Sequence, residues 1–250
     1  MKYLVLMRNA FKRKMIYRSQ IVLELFTNGI IYFTTICLWT SVLNSGADLA
    51  GYDKNQLSTY FLFTIFSGML FSFEPCFTLG NAIQNGSLSV TLLRPVNYFF
   101  MDYARQLGRK LFYILLLVPL ILLKAKYPLS LIVYILSAFS MFYAFMAVLS
   151  LVGFILENTW PLRPVLSALF MLLSGQLFPL DILPEGIYKI LVFNPFSLVG
   201  YVFSKTLIGS FELKAIFLYS CINGVYFLLF FIFFQYGFRK LLYRYEGVRA

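Results

Sequence analysis

The chain has 250 residues, of which 60% are hydrophobic and 20% are aromatic, whereas only 12% are charged. Soluble domains carry roughly 25% charged residues, so a soluble fold of this length would have too few polar side chains to cover its surface. The composition therefore excludes a soluble domain and indicates an all-helical integral membrane protein.

Six apolar runs are candidates for membrane spans, which need about twenty residues each. They cover residues 21–43, 57–79, 107–123, 129–156, 162–178 and 215–238. The third and fifth runs are short, and the fourth is long enough to require tilt. Because the runs are continuous and do not alternate with polar residues, they predict transmembrane helices.

The net charge of +11 is explained by membrane topology. If the N-terminus is cytoplasmic, most of the 21 Lys and Arg residues fall on cytoplasmic segments, as the positive-inside rule requires. The rule then predicts that both termini are cytoplasmic, and the basic surface is expected to attract anionic lipid, not nucleic acid. Lys124 and Lys126 depart from the rule because they fall on the predicted outer side.

The N-terminal segment MKYLVLMRNAFKRKMIYR has apolar residues at helical spacing opposite a basic face. The apolar positions are Leu4, Met7, Phe11 and Met15. This pattern predicts an amphipathic helix that lies in the membrane interface. Two roles stay open for it: a basic anchor that sets topology, and a helix that makes a specific contact.

Few acidic residues approach the predicted membrane interior, namely Glu24, Glu74 and Glu157. Glu74 is the most informative, because a charge within a span is costly and the proline that follows it breaks the backbone ladder. It could face a substrate, or it could pair with Arg105 or Arg109 at the inner end of the second span. The sequence favours the pairing, and Glu24 is interpreted in the same structural way.

Several kinds of chemistry are excluded by absent residues. The chain has no histidine, and Cys37, Cys76 and Cys221 are far apart, so neither a metal site nor a disulfide framework is expected. No two carboxylates have the close spacing that acid–base chemistry requires. The phosphate-binding pattern GxxxxGK[ST] is also missing. The chain is therefore predicted not to be an enzyme, and any ATPase would be a separate chain.

Residues 84–98, QNGSLSVTLLRPVNY, connect the second and third predicted spans. Gly86 and Pro95 bound a short predicted helix that starts near residue 87. Three apolar residues at four-residue spacing share one of its faces: Leu88, Leu92 and Val96. Leu93 and Arg94 then point to solvent or to a partner. We expect this cytoplasmic segment to insert into a groove on a soluble protein, the alternative being a helix that rests on lipid.

Residues 175–209 are apolar but interrupted. Pro184 with Glu185 can open one helix, and Asn194-Pro195 provides the N-cap and first position of a second helix that Gly209 can end. The pattern predicts two short helices that dip into the outer leaflet, where neighbouring protein satisfies their backbone. A surface loop is the alternative.

The order of these features resembles the ABC-2 family of exporter permeases. One part of the resemblance is the pattern from Ile83 through Gly86 to Leu92-Leu93-Arg94-Pro95. The other is a series of short motifs within residues 174–209, namely SG, PL, LP, NPF and IG. The six-span layout, the basic N-terminal helix and the broken outer segment match as well, so the resemblance covers nearly the whole chain.

The resemblance implies one transmembrane permease domain over residues 1–250. Its parts would be an elbow helix at 1–20, a cytoplasmic coupling region at 82–104 and an extracellular re-entrant region at 175–210. It also implies a bacterial cytoplasmic membrane location and a pair of permeases, formed with a related chain or a second copy. Each would bind an ABC ATPase, which carries ATP and Mg, and no cofactor is expected in this chain.

The function implied by the resemblance is ATP-driven export of an amphipathic or hydrophobic drug, peptide or lipid-like molecule. The alternative is a gradient-driven transporter or channel that uses no ATPase, which would require buried titratable groups such as Glu74. The resemblance assigns ATPase docking to Gly86, Leu88, Leu92, Leu93, Arg94 and Pro95. It assigns the substrate path to Phe66, Phe73, Glu74, Phe170 and Leu173. It assigns the outer gate to Pro179, Asp181 and Pro184.

Overall fold

The computed structural model describes residues 2–46, 51–124, 127–156 and 158–243. Of the residues discussed above, Lys126 and Glu157 lie outside these ranges. The described residues form α-helices and short 3-10 turns without a strand, so the prediction of an all-helical chain is confirmed. The helices are α1 (Lys2–Ile16), α2 (Arg18–Asn44), α3 (Lys54–Leu70), α4 (Glu74–Gln84), α5 (Ser87–Leu92), α6 (Tyr98–Lys124), α7 (Pro128–Ser150), α8 (Leu162–Leu173), α9 (Glu185–Leu191), α10 (Pro195–Val199), α11 (Tyr201–Ile208) and α12 (Leu213–Leu242).

Four helical segments within the described ranges are long and apolar enough to cross a membrane: Arg18–Asn44, Lys54–Gln84, Pro128–Phe154 and Leu213–Leu242. A fifth is reached if Glu185–Leu191 and Pro195–Ile208, which are bent by 78°, count as one span. Helix α8 has 12 residues and is therefore about 18 Å long, against about 30 Å of hydrocarbon. The chain is a multi-pass membrane protein by these criteria, and the count of six spans stays a prediction.

The span predicted at residues 57–79 is interrupted. Helix α3 ends at Leu70, the backbone of Phe71 is extended, and α4 begins at Glu74. Pro75 lies in the first turn of α4, where the missing N–H costs no helical hydrogen bond. The Glu74 carboxylate also lies at the end of the helix where the macrodipole favours negative charge. The Glu-Pro pair therefore starts a new helix within the span.

Helix α7 is the centre of the packing. It packs along α12 and α4 and also contacts α10 and α11, and about half of its residues are buried. Its Tyr134 hydroxyl donates a hydrogen bond to the carbonyl of Leu198 in α10. Helix α2, by contrast, has one buried residue, Ile21, and contacts mainly α3. The outer face of α2 is apolar and exposed, for example at Phe26 and Phe33, which suits contact with lipid or a second subunit.

The contacts define two ends of the helix bundle. At one end, called the α5 end, the C-terminal half of α12 packs with α5 and the start of α6 through Leu88, Phe99 and Phe234. Helix α1 lies at this same end, where the Tyr3 hydroxyl accepts a hydrogen bond from the backbone N–H of Asn97. At the other end, called the α9 end, Tyr52 contacts Asp181. Helix α1 and the C-terminal half of α12 thus lie at the same end of the bundle.

Helix α1 lies directly against α6, and a glycine permits this contact. A Cβ atom at Gly108 would lie 2.2 Å from the carbonyl oxygen of Met7 and 3.0 Å from the Cβ of Ala10. Within the predicted apolar stripe, Met7 and Phe11 are half-buried, whereas Leu4 and Met15 are exposed. The segment is helical, and only part of its apolar stripe faces protein; its place in the membrane interface stays a prediction.

The interrupted region before α12 follows the predicted boundaries. Helix α9 begins at Glu185 after Pro184, and α10 begins at Pro195. The side chain of Asn194 accepts hydrogen bonds from the backbone N–H groups of Phe196 and Ser197, as an N-cap does. Helix α11 ends at Gly209, whose φ of 85° is left-handed. The region thus contains three short helices, and their placement in the outer leaflet stays a prediction.

Candidate functional site

The predicted coupling segment folds as a short helix held by one buried side chain. Gly86 precedes α5 with a φ of 65°, a left-handed conformation in which a Cβ atom is unfavourable. Leu88 is fully buried and belongs to an apolar cluster that includes Leu79 of α4 and Tyr143 of α7. Helix α5 is thereby fixed to α4 and α7, so a force applied to it reaches those helices.

The other side of the segment is exposed. Leu93 is 86% exposed, and Arg94 and Pro95 are exposed beside it. Leu92 is 40% exposed and Val96 is half-buried, so the predicted inward face is fully buried only at Leu88. The predicted outward position of Leu93 and Arg94 is confirmed. A large apolar side chain beside a cation at the tip of a short helix is typical of a protein contact.

An ion-pair network lies at the α5 end between α1, α2 and α6. The Lys14 ammonium is 2.9 Å from Glu24 Oε2, and the Tyr113 hydroxyl donates to the same oxygen at 2.7 Å. The Lys14 ammonium also lies 5.8 Å from the centre of the Tyr113 ring. The structural interpretation of Glu24 is confirmed, since this carboxylate joins three helices.

Glu74 is paired as predicted. Its carboxylate lies 3.3 Å from Nη1 of Arg109 in α6, so of the two candidate partners it is Arg109 that makes the ion pair. Both side chains are partly exposed, and such pairs contribute at most about 1 kcal/mol to stability. The pair joins the first turn of α4 to α6. An acid that couples transport to a gradient is expected to be isolated from fixed cations, and Glu74 is not.

The role of Lys110 was not predicted from the sequence. This side chain is 9% exposed, and its ammonium donates a hydrogen bond of 2.6 Å to the carbonyl oxygen of Met69. Met69 is in the last turn of α3, where carbonyl groups lack helical partners and a cation is favoured by the helix dipole. Lys110 therefore caps the helix end that the break in the second span creates. Its signal in the sequence is a third basic residue, directly after Arg109 and five residues after Arg105.

A large polar cavity lies beside this network. Its volume is about 610 Å³, and residues of α1, α4, α5 and α6 line it. Asp102, which is 5% exposed, accepts hydrogen bonds from Thr78 and Tyr143, both at 3.3 Å. Asp102 was not predicted from the sequence, because its partners Thr78 and Tyr143 are distant in the chain.

The predicted path residues are only partly brought together. The rings of Phe73 and Phe170 meet edge to face at 5.4 Å, and Phe170 is buried. Phe66 contacts Tyr113 instead, and Leu173 is half-buried near the end of α8. In this conformation the four side chains pack within the apolar core, and their role in a substrate path stays a prediction.

The predicted gate residues lie at the α9 end, around one carboxylate. Asp181 accepts a hydrogen bond of 2.9 Å from the Tyr52 hydroxyl and lies 2.8 Å from the Lys205 ammonium. The ammonium also lies 4.4 Å from the centre of the Tyr52 ring. Burial and the Asp181 carboxylate raise the pKa of Tyr52 far above its usual range, so Tyr52 remains a neutral donor. Tyr52 and Lys205 were missed by sequence reasoning.

The two predicted gate prolines have different surroundings. Pro179 is buried and precedes a single 3-10 turn at Leu180–Ile182, whereas Pro184 is exposed and precedes α9. Nearby, the Tyr60 hydroxyl donates a 2.7 Å hydrogen bond to the carbonyl of Gly175. The segment after α8 is thus tied to α3, and its gating role stays a prediction.

The fold and these sites define the class of the protein: a helical multi-pass membrane protein with a short exposed helix at one end and short capped helices at the opposite end. Among the described residues, no group of three or more Cys, Asp or Glu side chains could hold a metal ion. Residues 30–246 match the family described as ABC-2 family transporter protein, and the chain belongs to this family. No curated protein matches the chain significantly. Permeases of this family associate in general with an ABC ATPase subunit.

Proposed function

We propose that the chain is the non-catalytic membrane subunit of an ABC exporter, driven by ATP and Mg bound on a partner ATPase. The observation that carries the proposal is the division of the coupling segment between a buried anchor, Leu88, and an exposed pair, Leu93 and Arg94. An anchor that is fixed to α4 and α7 can transmit movement, and an exposed apolar residue beside a cation can receive it from another protein.

The proposed direction of transport follows from the family, and the proposed substrate class follows from the exposed apolar faces of the helices. We propose export of an amphipathic molecule between two permeases, because α2 and α8 expose apolar faces and carry few charges. A second permease, whether a related chain or a second copy, would cover part of those faces. The location of α1 and the end of α12 at one end of the bundle supports a common side for both. We assign that side to the cytoplasm from the excess of basic residues, and the bacterial cytoplasmic membrane from the family resemblance.

The gradient-driven alternative is disfavoured by the ion pairs. A coupling acid should be able to gain and lose a proton during transport. Glu74 is paired with Arg109, and Glu24 is held by Lys14 and Tyr113. Neither carboxylate is isolated in the membrane interior, which supports an ATPase as the proposed energy source.

The experiment is a pull-down from native membranes with the tagged full chain. The test variant carries Leu93→Asp and Arg94→Glu, and the control carries Tyr243→Asp and Arg239→Glu, which are exposed at the same end. Burying a leucine and pairing an arginine together contribute about 3–6 kcal/mol, so the test variant should bind its ATPase at least about a hundredfold more weakly. The wild type and the control should retain the ATPase, and the wild-type complex should hydrolyse ATP.

Two results would contradict the proposal. An ATPase that co-purifies equally with all three proteins would show that α5 is not its docking site. The absence of an ATPase from all three would remove the ATP-driven function itself. Membrane insertion and the unfolding temperature in detergent are measured for each variant, because Leu93 and Arg94 are exposed and their replacement should leave both unchanged.

A further inference from the structure

The cavity at the α5 end has the size and position of a ligand site. Its volume of about 610 Å³ falls within the range of about 300–1,000 Å³ that is usual for small-molecule sites. Helix α1 forms one wall, α4 and α5 form another, and the first half of α6 completes it. The lining combines apolar side chains, such as Leu6 and Met101, with amides, such as Asn81 and Asn85. The coupling described above does not use this cavity.

The cavity is rich in cations, and two of them are unpaired. Four basic side chains line it, namely Arg13, Lys14, Arg105 and Arg109, and the acid in the lining is Asp102. Lys14 and Arg109 are paired with glutamates. Within the described part of the chain, Arg13 and Arg105 form no ion pair at 4.0 Å or less.

A further observation points to an anionic ligand. Asp102 already accepts hydrogen bonds from Thr78 and Tyr143, so its charge is partly compensated. The donors that remain are guanidinium groups, and these match the oxygens of a phosphate group.

The position of the cavity indicates a lipid as the source of that phosphate. Helix α1 exposes apolar side chains on its other face, with Leu4 at 64% and Ile16 at 75%, as expected of a helix that lies in the membrane interface. A basic cavity directly behind such a helix is at the depth of the lipid headgroups. Leu6 and Ala10, which are half-buried, offer an apolar surface for the part of the lipid that adjoins its headgroup.

We propose that this cavity binds the phosphate-bearing headgroup of an anionic phospholipid, held by Arg13 of α1 and Arg105 of α6. A bound lipid would join α1 to α6 and contact α5 through its Thr91 hydroxyl. It would therefore stabilise the arrangement of the amphipathic helix and the coupling segment. This inference is independent of the ATPase proposal, because none of these residues belongs to the exposed tip of α5.

The test is a titration of the purified full chain, with its co-purifying subunits, in detergent. The ligands are short-chain phosphatidylglycerol, short-chain phosphatidylcholine, glycerol phosphate and inorganic phosphate, and binding is measured by native mass spectrometry and by the shift of the unfolding temperature. The variant carries Arg13→Gln and Arg105→Gln. The matched control, Arg8→Gln with Arg239→Gln, removes two exposed arginines that do not line the cavity.

Phosphatidylglycerol should bind the wild type and the control equally. The Arg13→Gln, Arg105→Gln variant should bind it about a hundredfold more weakly, since each of the two lost charge-assisted hydrogen bonds accounts for about a tenfold difference. Arg105→Lys keeps the charge and should keep most of the binding, which separates loss of the site from loss of the fold. Equal loss in the control would overturn the proposal, as would unchanged binding in the variant. If glycerol phosphate or phosphatidylcholine binds as tightly as phosphatidylglycerol, the ligand is not an anionic lipid.

Discussion

Replacing Gly108 by alanine should push α1 away from α6. The new Cβ atom would lie 2.2 Å from the carbonyl oxygen of Met7 and 2.9 Å from its carbonyl carbon. Ordinary contacts of this kind are more than about 3.4 Å long, so the helices would have to separate by about 1 Å. The atoms that clash belong to the backbone, and no side-chain rotation can relieve the overlap. Because Lys14 holds α1 to Glu24, the separation also strains that ion pair.

The magnitude follows from two opposing effects. Overpacking costs about 1–3 kcal/mol, and a backbone clash this short places Gly108→Ala at the upper end of that range. Replacing a helical glycine by alanine gains about 1 kcal/mol through helix propensity. The net destabilisation should therefore be about 2 kcal/mol. Gly224→Ala in α12 is the matched control, since its Cβ would meet nothing within 4 Å, and it should stabilise the protein by about 0.5–1 kcal/mol.

The assay combines the unfolding temperature in detergent with limited trypsin digestion. Arg18, which follows the junction of α1 and α2 at Tyr17, is exposed and should be cleaved faster when α1 is displaced. The expected result is a lower unfolding temperature and faster cleavage for Gly108→Ala, with the opposite sign of temperature shift for Gly224→Ala. If the two variants change stability in the same direction, α1 does not pack on α6 as closely as described.

Three further predictions concern local features. Asn194→Ala removes the N-cap of α10 and should cost about 1 kcal/mol in unfolding free energy, whereas Asn194→Asp should keep most of it. Gly86→Ala places a Cβ in the left-handed region and should cost about 1–2 kcal/mol, with Gly86→Asn less affected. The raised pKa of Tyr52 means that the unfolded chain ionises first, so its contribution is complete below about pH 10 and is lost as pH rises. Tyr52→Phe should reduce the alkaline loss of stability by about 1.4 kcal/mol per pH unit.

Each of these has a result that would count against it. Equal stability of the Asn194→Ala and Asn194→Asp proteins would mean that the two N-terminal hydrogen bonds of α10 contribute nothing. A Gly86→Ala protein as stable as the wild type would mean that residue 86 can leave its left-handed conformation. For Tyr52→Phe, unfolding free energies are measured between about pH 9 and pH 11, and a slope identical to that of the wild type contradicts the raised pKa.

Local signals in the sequence predicted the short helices well. Asn194-Pro195 and Gly209 bound the helices at the α9 end because capping depends on residues that are close in the chain. Gly86 precedes α5 for the same reason, whereas the predicted end at Pro95 was wrong, because the helix ends at Leu92 and Val96 lies beyond it. The Glu74–Arg109 pair was within reach of sequence reasoning, since opposite charges that approach the membrane interior must find each other.

The contacts that needed the fold were missed. Tyr52, Asp181 and Lys205 come from three separate segments, and no periodicity relates them. From the sequence, Lys110 was counted only as one of the cytoplasmic basic residues. Its acceptor, the carbonyl oxygen of Met69, is available only because α3 ends there. Pro75 predicted a disturbed backbone ladder within one span, whereas in the structure α3 ends before it and α4 begins at Glu74. The six-span count depended on apolar run length, and α8 is too short to support it.

The break after Leu70 divides the second span into two helices that are attached to different parts of the bundle. Helix α3 is fixed to α2 and α11, whereas α4 is fixed to α7 and carries α5 at its far end. With 11 residues, α4 is about 16 Å long, so a tilt of about 10° at the break displaces its α5 end by about 3 Å. A displacement of α5 would thus be transmitted through α4 to α7, the helix on which the rest of the bundle packs. Helix α3 is attached to α2 and α11 instead, so a tilt of α4 would leave those contacts in place.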